Sequence, residues 1–436
     1  MHAMSLAAVT MTALLWVGYG TAVATATETV VVPPPALLAS DTEQVTTTIR
    51  SLEEKVRQHP DDFIAYNKLA GYYLQRQRDT GSLEYLNLAE RAARASLAIM
   101  PPEQNYGGLA ALAQAEYALH NFTAARDHAL RLTALHTTRS AGWQVLSDAL
   151  FELGDYNSAM QALDQLQRLA GQTVDTQTRL AHAALLHGRP EEARQYLSRA
   201  VVLALEQSPP QRETVAWCRW QLGETAFASG DYATAEQHYR DALTTFPNFF
   251  RAVASLGRVR AARGDLAGAI VQYERVVQMV PDLTFVAALG DLYVLTGRDQ
   301  AAAAQYALVE TIAQLGAMNG LLYNRQLAIF YADHERKVEA AYHLATTEYA
   351  VRRDIYAADT VAWTALKAGK LAEAQAAMQD ALRLGTRDAR LFYHAGMIAA
   401  AGGDRAQTQK YLTRALTLSP AFDPLQAPLA RQALQR

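Results

Sequence analysis

Between Trp217 and Pro281 the sequence writes one pattern twice. Leu222-Gly223, Gly230-Asp231-Tyr232, Ala235, Tyr239, Ala242 and Pro247 are answered by Leu256-Gly257, Gly264-Asp265-Leu266, Ala269, Tyr273, Val276 and Pro281. Gly223 to Gly257, Gly230 to Gly264 and Pro247 to Pro281 are each 34 residues apart. A fixed period of this length belongs to stacked supersecondary units, each too small to bury its apolar face without a neighbour. Gly223, Gly257, Ala235 and Ala242 are small where helices must approach, and Leu222, Tyr239, Leu256 and Tyr273 fill the remaining space. Gly230 and Gly264 take the left-handed conformation that ends a first helix, and the aspartate after each caps a second. Pro247 and Pro281 then stop the second helix, because proline disfavours helix at the residue before it.

This skeleton of Trp, Leu-Gly, Tyr, Ala and Pro at a period of 34 resembles the tetratricopeptide repeat family. The resemblance implies an all-α fold: a right-handed superhelical solenoid of about ten helix-turn-helix units. The inter-helix turns are expected near His120, Gly154, Gly188, Gly230, Gly264, Gly297, Glu335, Gly369 and Gly403, with an earlier unit between Asp62 and Pro101. Two longer joints, at Glu206–Arg212 and Leu315–Gly320, divide the array into 61–210 (units one to four), 211–320 (five to seven) and 321–420 (eight to ten). Residues 421–436 read as a capping helix, since a terminal repeat needs a polar outer face.

The 436 residues are 50% hydrophobic and carry a net charge of −3, so the chain can bury a long core and has no global basic field for nucleic acid. Cys218, the one cysteine, excludes an intramolecular disulfide and reads as a small packing residue. Residues 1–26 read as an export signal, with Ala22-Val23-Ala24, or as a second choice Ala24-Thr25-Ala26, as cleavage site and an apolar run from Leu6 to Val17 too short and threonine-interrupted to span a membrane. Residues 27–60 follow as a linker with Pro33-Pro34-Pro35 and an N-terminal helix starting near Asp41. An exported location, periplasmic or extracellular and bacterial, is the expectation, with no membrane span after signal removal.

Nothing in the sequence builds an enzyme. The glycine-rich Gly264-Asp265-Leu266-Ala267-Gly268 lacks the Lys and hydroxyl ending of a phosphate loop, and the histidines show no metal-site spacing. No catalytic residue, metal ligand or cofactor is assigned. What the resemblance implies instead is a concave groove lined by the first helix of each unit. Its register gives Trp217, Trp220, Glu224 and Phe227, then Arg251 and Arg258, then Asp291, then Arg325. The last two units give Tyr356, Asp359 and Trp363, then Arg390, Tyr393 and Met397. Aromatic and arginine side chains are those favoured at binding hot spots. The expected function is a scaffold or assembly adaptor of the cell envelope that binds a partner protein or peptide in this groove. The alternative is an accessory subunit of a secretion or polysaccharide-export machine, with the tryptophans stacking on glycan. A third reading is self-association through the groove or the apolar end helices.

Overall fold

A computed structural model describes residues 41–318 and 324–435, and the segments expected to be export signal and linker lie outside the described residues. Among the described residues there are 22 helices and no strand. Helix α1 (Asp41–Gln58) precedes ten helix pairs. The first five pairs are α2 (Phe63–Thr80) with α3 (Glu84–Ile99), α4 (Tyr106–Ala118) with α5 (Phe122–Leu135), α6 (Ser140–Leu153) with α7 (Tyr156–Ala170), α8 (Val174–Leu186) with α9 (Pro190–Glu206), and α10 (Arg212–Ala228) with α11 (Tyr232–Thr245). The next five are α12 (Phe250–Ala262) with α13 (Leu266–Met279), α14 (Leu283–Leu295) with α15 (Asp299–Met318), α16 (Asn324–Asp333) with α17 (Val338–Tyr349), α18 (Ile355–Lys367) with α19 (Leu371–Ala381), and α20 (Ala389–Ala401) with α21 (Arg405–Leu418). The last helix, α22 (Gln426–Leu434), packs on α20 and α21 and takes the place of the next first helix.

The local chemistry is the one the sequence implied. The second helices α5, α7, α11, α13 and α21 each start on an Asn or Asp whose carboxyl or amide oxygen accepts an N–H from the first turn, as Asp231 does from Thr234 at 3.1 Å. The close approach of paired helices is set by glycine facing tyrosine. A Cβ on Gly223 would stand 2.4 Å from the Tyr239 ring, and Gly257 and Gly290 stand in the same relation to Tyr273 and Tyr306. First helices also touch first helices, α2 on α4, α4 on α6, α10 on α12, and α14 through α22 in succession, so they form the inner layer. Across the longer joint after Glu206, α9 still packs directly on α10.

One class of contact is not nearest-neighbour. The turn between α6 and α7 lies against the loop between α17 and α18: Arg353 N–H donates to the Leu153 carbonyl at 3.1 Å, and Ile355 N–H to the Tyr156 hydroxyl at 2.8 Å. The turn between α8 and α9 meets the loop between α19 and α20, where Thr386 Oγ1 donates to the Leu186 carbonyl. The turn between α10 and α11 meets the segment after α21, where Ala421 N–H donates to the Tyr232 hydroxyl at 2.8 Å. At the start, Gly81, after α2, packs on Val280 between α13 and α14. Each contact joins positions eleven helices apart. The ribbon of repeats therefore returns onto itself, its turn edge docked on the loop edge of the next superhelical turn along a continuous seam. Ile355, Ala358, Leu391 and Ala395 share a core cluster with Val145, Leu163 and Leu186. A repeat array whose units touch only their neighbours has no such cluster.

Candidate partner-binding surface

The inner faces of α10 and α12 form one wall, because equal repeat positions stand side by side. Trp217 neighbours Arg251 in this register and Glu224 neighbours Arg258. Arg258 Nη2 donates to both Glu224 oxygens, at 2.7 and 2.6 Å, and its guanidinium lies 4.0 Å over the ring of Phe227. Glu224 also accepts from the Tyr239 hydroxyl at 2.7 Å and from Ser255 Oγ at 2.8 Å, and Ser255 in turn accepts from Trp220 Nε1 at 2.9 Å. Burial works against the Arg258 charge and the Glu224 carboxylate outweighs it, so its pKa lies above the ordinary arginine value. Arg258 is thus neutralised in place, and Phe227, buried beneath it, has almost no surface of its own.

Arg251 differs. Its guanidinium stacks 4.5 Å over Phe250 and makes no ion pair among the described residues. Burial pulls its pKa below the ordinary value, against the more distant Glu213 and Asp282. Trp217 and Trp220, edge to face at 6.3 Å, are half-buried beside it. Two indole rings and one uncompensated guanidinium are therefore what this wall offers a ligand.

The other groove positions lie apart from it and are mostly occupied. Asp291 accepts from the Tyr306 hydroxyl at 2.7 Å and pairs with His334 Nε2 at 2.7 Å. Arg325 reaches Glu348 at 3.1 Å and Asp354 at 2.5 Å. At the C-terminal end the inner faces of α16, α18, α20 and α22 converge on one another. Trp363 Nε1 and Gln426 Nε2 both donate to Asp333 Oδ1, each at 2.7 Å. The Trp363 ring stacks on His394 at 4.2 Å, and His394 Nδ1 pairs with Asp359 at 2.9 Å. Arg390 pairs with Asp423 at 3.3 Å. Asp359, Trp363 and Tyr393 are 4%, 2% and 1% exposed, so these three have no surface to present to a partner in this structure. Tyr356, Arg390 and Met397 remain half-buried. The curvature of the array is the reason: three first helices and α22 close around a common polar cluster instead of flanking an open channel.

The seam carries residues the groove register does not mark. Arg352 stacks 4.5 Å over Phe122 and pairs with Glu152 and, at 2.9 Å, with Glu348, so two arginines and three carboxylates from α6, α16, α17 and the loop before α18 form one cluster. The sequence signal that was available is the ring at the first position of a second helix: Phe122, Tyr156 and Tyr232. All three face the seam, and burial pushes the Tyr156 hydroxyl up to about 12. No group of three or more metal-ligating side chains, and no helix long and apolar enough to cross a membrane, occurs among the described residues.

The fold and this surface define a class: an α-helical repeat solenoid with paired helices, a layered inner face and no assembled catalytic group. Tetratricopeptide repeat profiles match the sequence over 36–96, 141–173, 172–248 and 221–284. The chain belongs to the tetratricopeptide repeat family, whose repeats serve in general as protein-interaction scaffolds and not as enzymes. Among solved structures it is similar to a human IFIT1 dimer with PPP-AAAA (14% identity, 87% of each chain covered, TM-score 0.46). It is also similar to PilW, a type IV pilus biogenesis factor (19% identity, 51% of this chain and 97% of that one, TM-score 0.40), and to MamA (21% identity, 40% and 97%, TM-score 0.32). No curated protein matches the sequence.

Proposed function

We propose that this chain is an exported scaffold or assembly adaptor of the bacterial cell envelope that holds a partner protein or peptide on the inner wall of α10 and α12. The observation that supports this reading is the contrast within the inner layer. Trp217, Trp220 and Arg251 are the groove positions that combine accessible aromatic surface with a cation lacking a carboxylate, and the C-terminal positions are engaged with one another. Aromatic and arginine anchors around one patch are the composition of a binding hot spot. Because Arg258 and Arg325 are already paired, an acidic group of the partner meets Arg251. The two adjacent indoles also suit stacking on a sugar ring, which keeps glycan binding as the second reading.

A photo-crosslinking amino acid at Trp217, introduced in the native host, tests the site. A crosslinked partner that is lost in Arg251→Ala and Trp220→Ala variants of unchanged stability is the expected result. Crosslinks unaffected by both changes would move the partner off this wall. N-terminal sequencing of the protein recovered from the envelope checks export: the account expects a start near Thr25 or Thr27, and a start at Met1 contradicts it.

A further inference from the structure

The seam has two unused edges. Within the chain, the turns after α2, α6, α8 and α10 are docked on loops eleven helices later. The turns after α12, α14, α18 and α20 have the same construction and nothing on them. At Gly154, Gly188 and Gly230 an added Cβ would lie 2.3, 2.5 and 2.8 Å from the backbone of the docked loop, whereas Gly264, Gly297, Gly369 and Gly403 have nothing within 4 Å. The complementary loop edge, between α1 and α2, α3 and α4, α7 and α8, and α9 and α10, is likewise exposed.

We infer that a second copy of this chain docks its free loop edge on this free turn edge, continuing the seam from one molecule into the next. Twenty-two helices make two full turns of eleven, so a copy added end to end starts in the register where the first one stops. Carrying the eleven-helix offset across the junction matches the turn after α14 with the partner copy's loop between α3 and α4. It matches the turn after α18 with the loop between α7 and α8, and the turn after α20 with the loop between α9 and α10. Opposite charges stand at these three places, with Asp299 and Asp404 adjoining two of the cations. Arg298, Lys370 and Arg405 stand exposed on the turns, with Arg298 over Tyr293 and Lys370 over Tyr342 and none of the three in an ion pair among the described residues. Glu103, Asp175 and Glu206 stand exposed on the loops. Glu103 and Asp175 have only solvent-exposed or longer pairs within the chain, to Arg131 at 2.5 Å and Arg179 at 3.5 Å. Two junctions oppose the trend, since Arg336 would face Arg139, and Asp265, after α12, would face Asp61, between α1 and α2. The free turns also lack the Tyr that the docked turns after α6 and α10 carry at the first position of the second helix. The contact between copies is therefore held by charge more than by burial and is sensitive to salt. It is heterologous and open-ended, so it grows with concentration and does not stop at a dimer.

Sedimentation velocity of the full chain over a wide concentration range, at about 50 and about 500 mM salt, tests this. The expected result is association at low salt that weakens about tenfold or more at high salt, a shift that ionic contacts alone supply. Two variants locate it: Arg298→Glu with Lys370→Glu on the turn edge, and Glu103→Lys with Asp175→Lys on the loop edge. Each should be monomeric by itself at low salt with an unchanged unfolding midpoint, and an equal mixture of the two should associate. A wild-type chain that stays monomeric throughout would overturn the inference. So would association that neither double variant weakens, or variants whose mixture fails to associate.

Discussion

The turn at Gly154 and the turn at Gly369 are built alike. Each glycine has a positive φ, 80° and 72°, and each ends a first helix of a repeat. Gly154 is pressed against the backbone of Arg353, and Gly369 faces open space. The comparison teaches that repeat sequence fixes the unit while position in the superhelix fixes what the unit does. The turns after α2, α6, α8 and α10 serve as one side of a long intramolecular contact, and those after α12, α14, α18 and α20 remain surface.

Substitution of the two glycines gives the widest predicted separation. Gly369→Ala should cost about 1–2 kcal/mol, the penalty of a left-handed conformation for a residue with a Cβ. Gly154→Ala adds a collision with main-chain atoms, which costs a further ~1–3 kcal/mol as overpacking does. Chemical denaturation of both variants measures the difference, and equal losses would break the comparison.

Removal of the seam hydroxyls comes next. Tyr156→Phe and Tyr232→Phe leave the Ile355 and Ala421 N–H groups without their acceptor, which should cost about 1–3 kcal/mol each. Smaller again is the ion cluster. Glu152→Gln removes one of the three carboxylates on Arg352, and a loss of about 1 kcal/mol is expected, shrinking as salt is added.

The smallest effect is pH-dependent. At His334 burial is outweighed by the hydrogen bond to Asp291, and the pKa is raised. Its contribution is full below about pH 6.5 and lost as pH rises through the folded value. Denaturation midpoints at acid and neutral pH should show His334→Gln removing the stabilisation on the acid side.

Much of this architecture was legible because it is local. The 34-residue spacing, the Gly-Asp turns and the Gly223–Tyr239 approach depend on residues within one unit, and each leaves a mark in one unit's sequence. The groove register also named Trp217, Trp220 and Arg251, which lie on the first helices α10 and α12. What could not be read was curvature. Whether Trp363 faces an open channel or closes on His394 and Asp333 depends on the angle accumulated over α16 to α22, and no single position encodes that angle. The seam was hidden for the same reason. Tyr156 and Tyr232 stood in the pattern beside their Gly-Asp pairs, but the amides they bind are 199 and 189 residues away. Nothing near them in the chain announces the partner.

Hydrogen exchange at the loops tests the closed seam most directly. In an open solenoid the segments between units are solvated and exchange quickly, and here three of their amides are docked. The account predicts that Arg353, Ile355 and Ala421 N–H are protected to the level of helix interiors, with Thr137 and Thr138, in the exposed loop between α5 and α6, exchanging at the rate of free chain. Exchange at Arg353, Ile355 and Ala421 as fast as at Thr137 and Thr138 would contradict it, and would return the molecule to an open array whose turns do not touch.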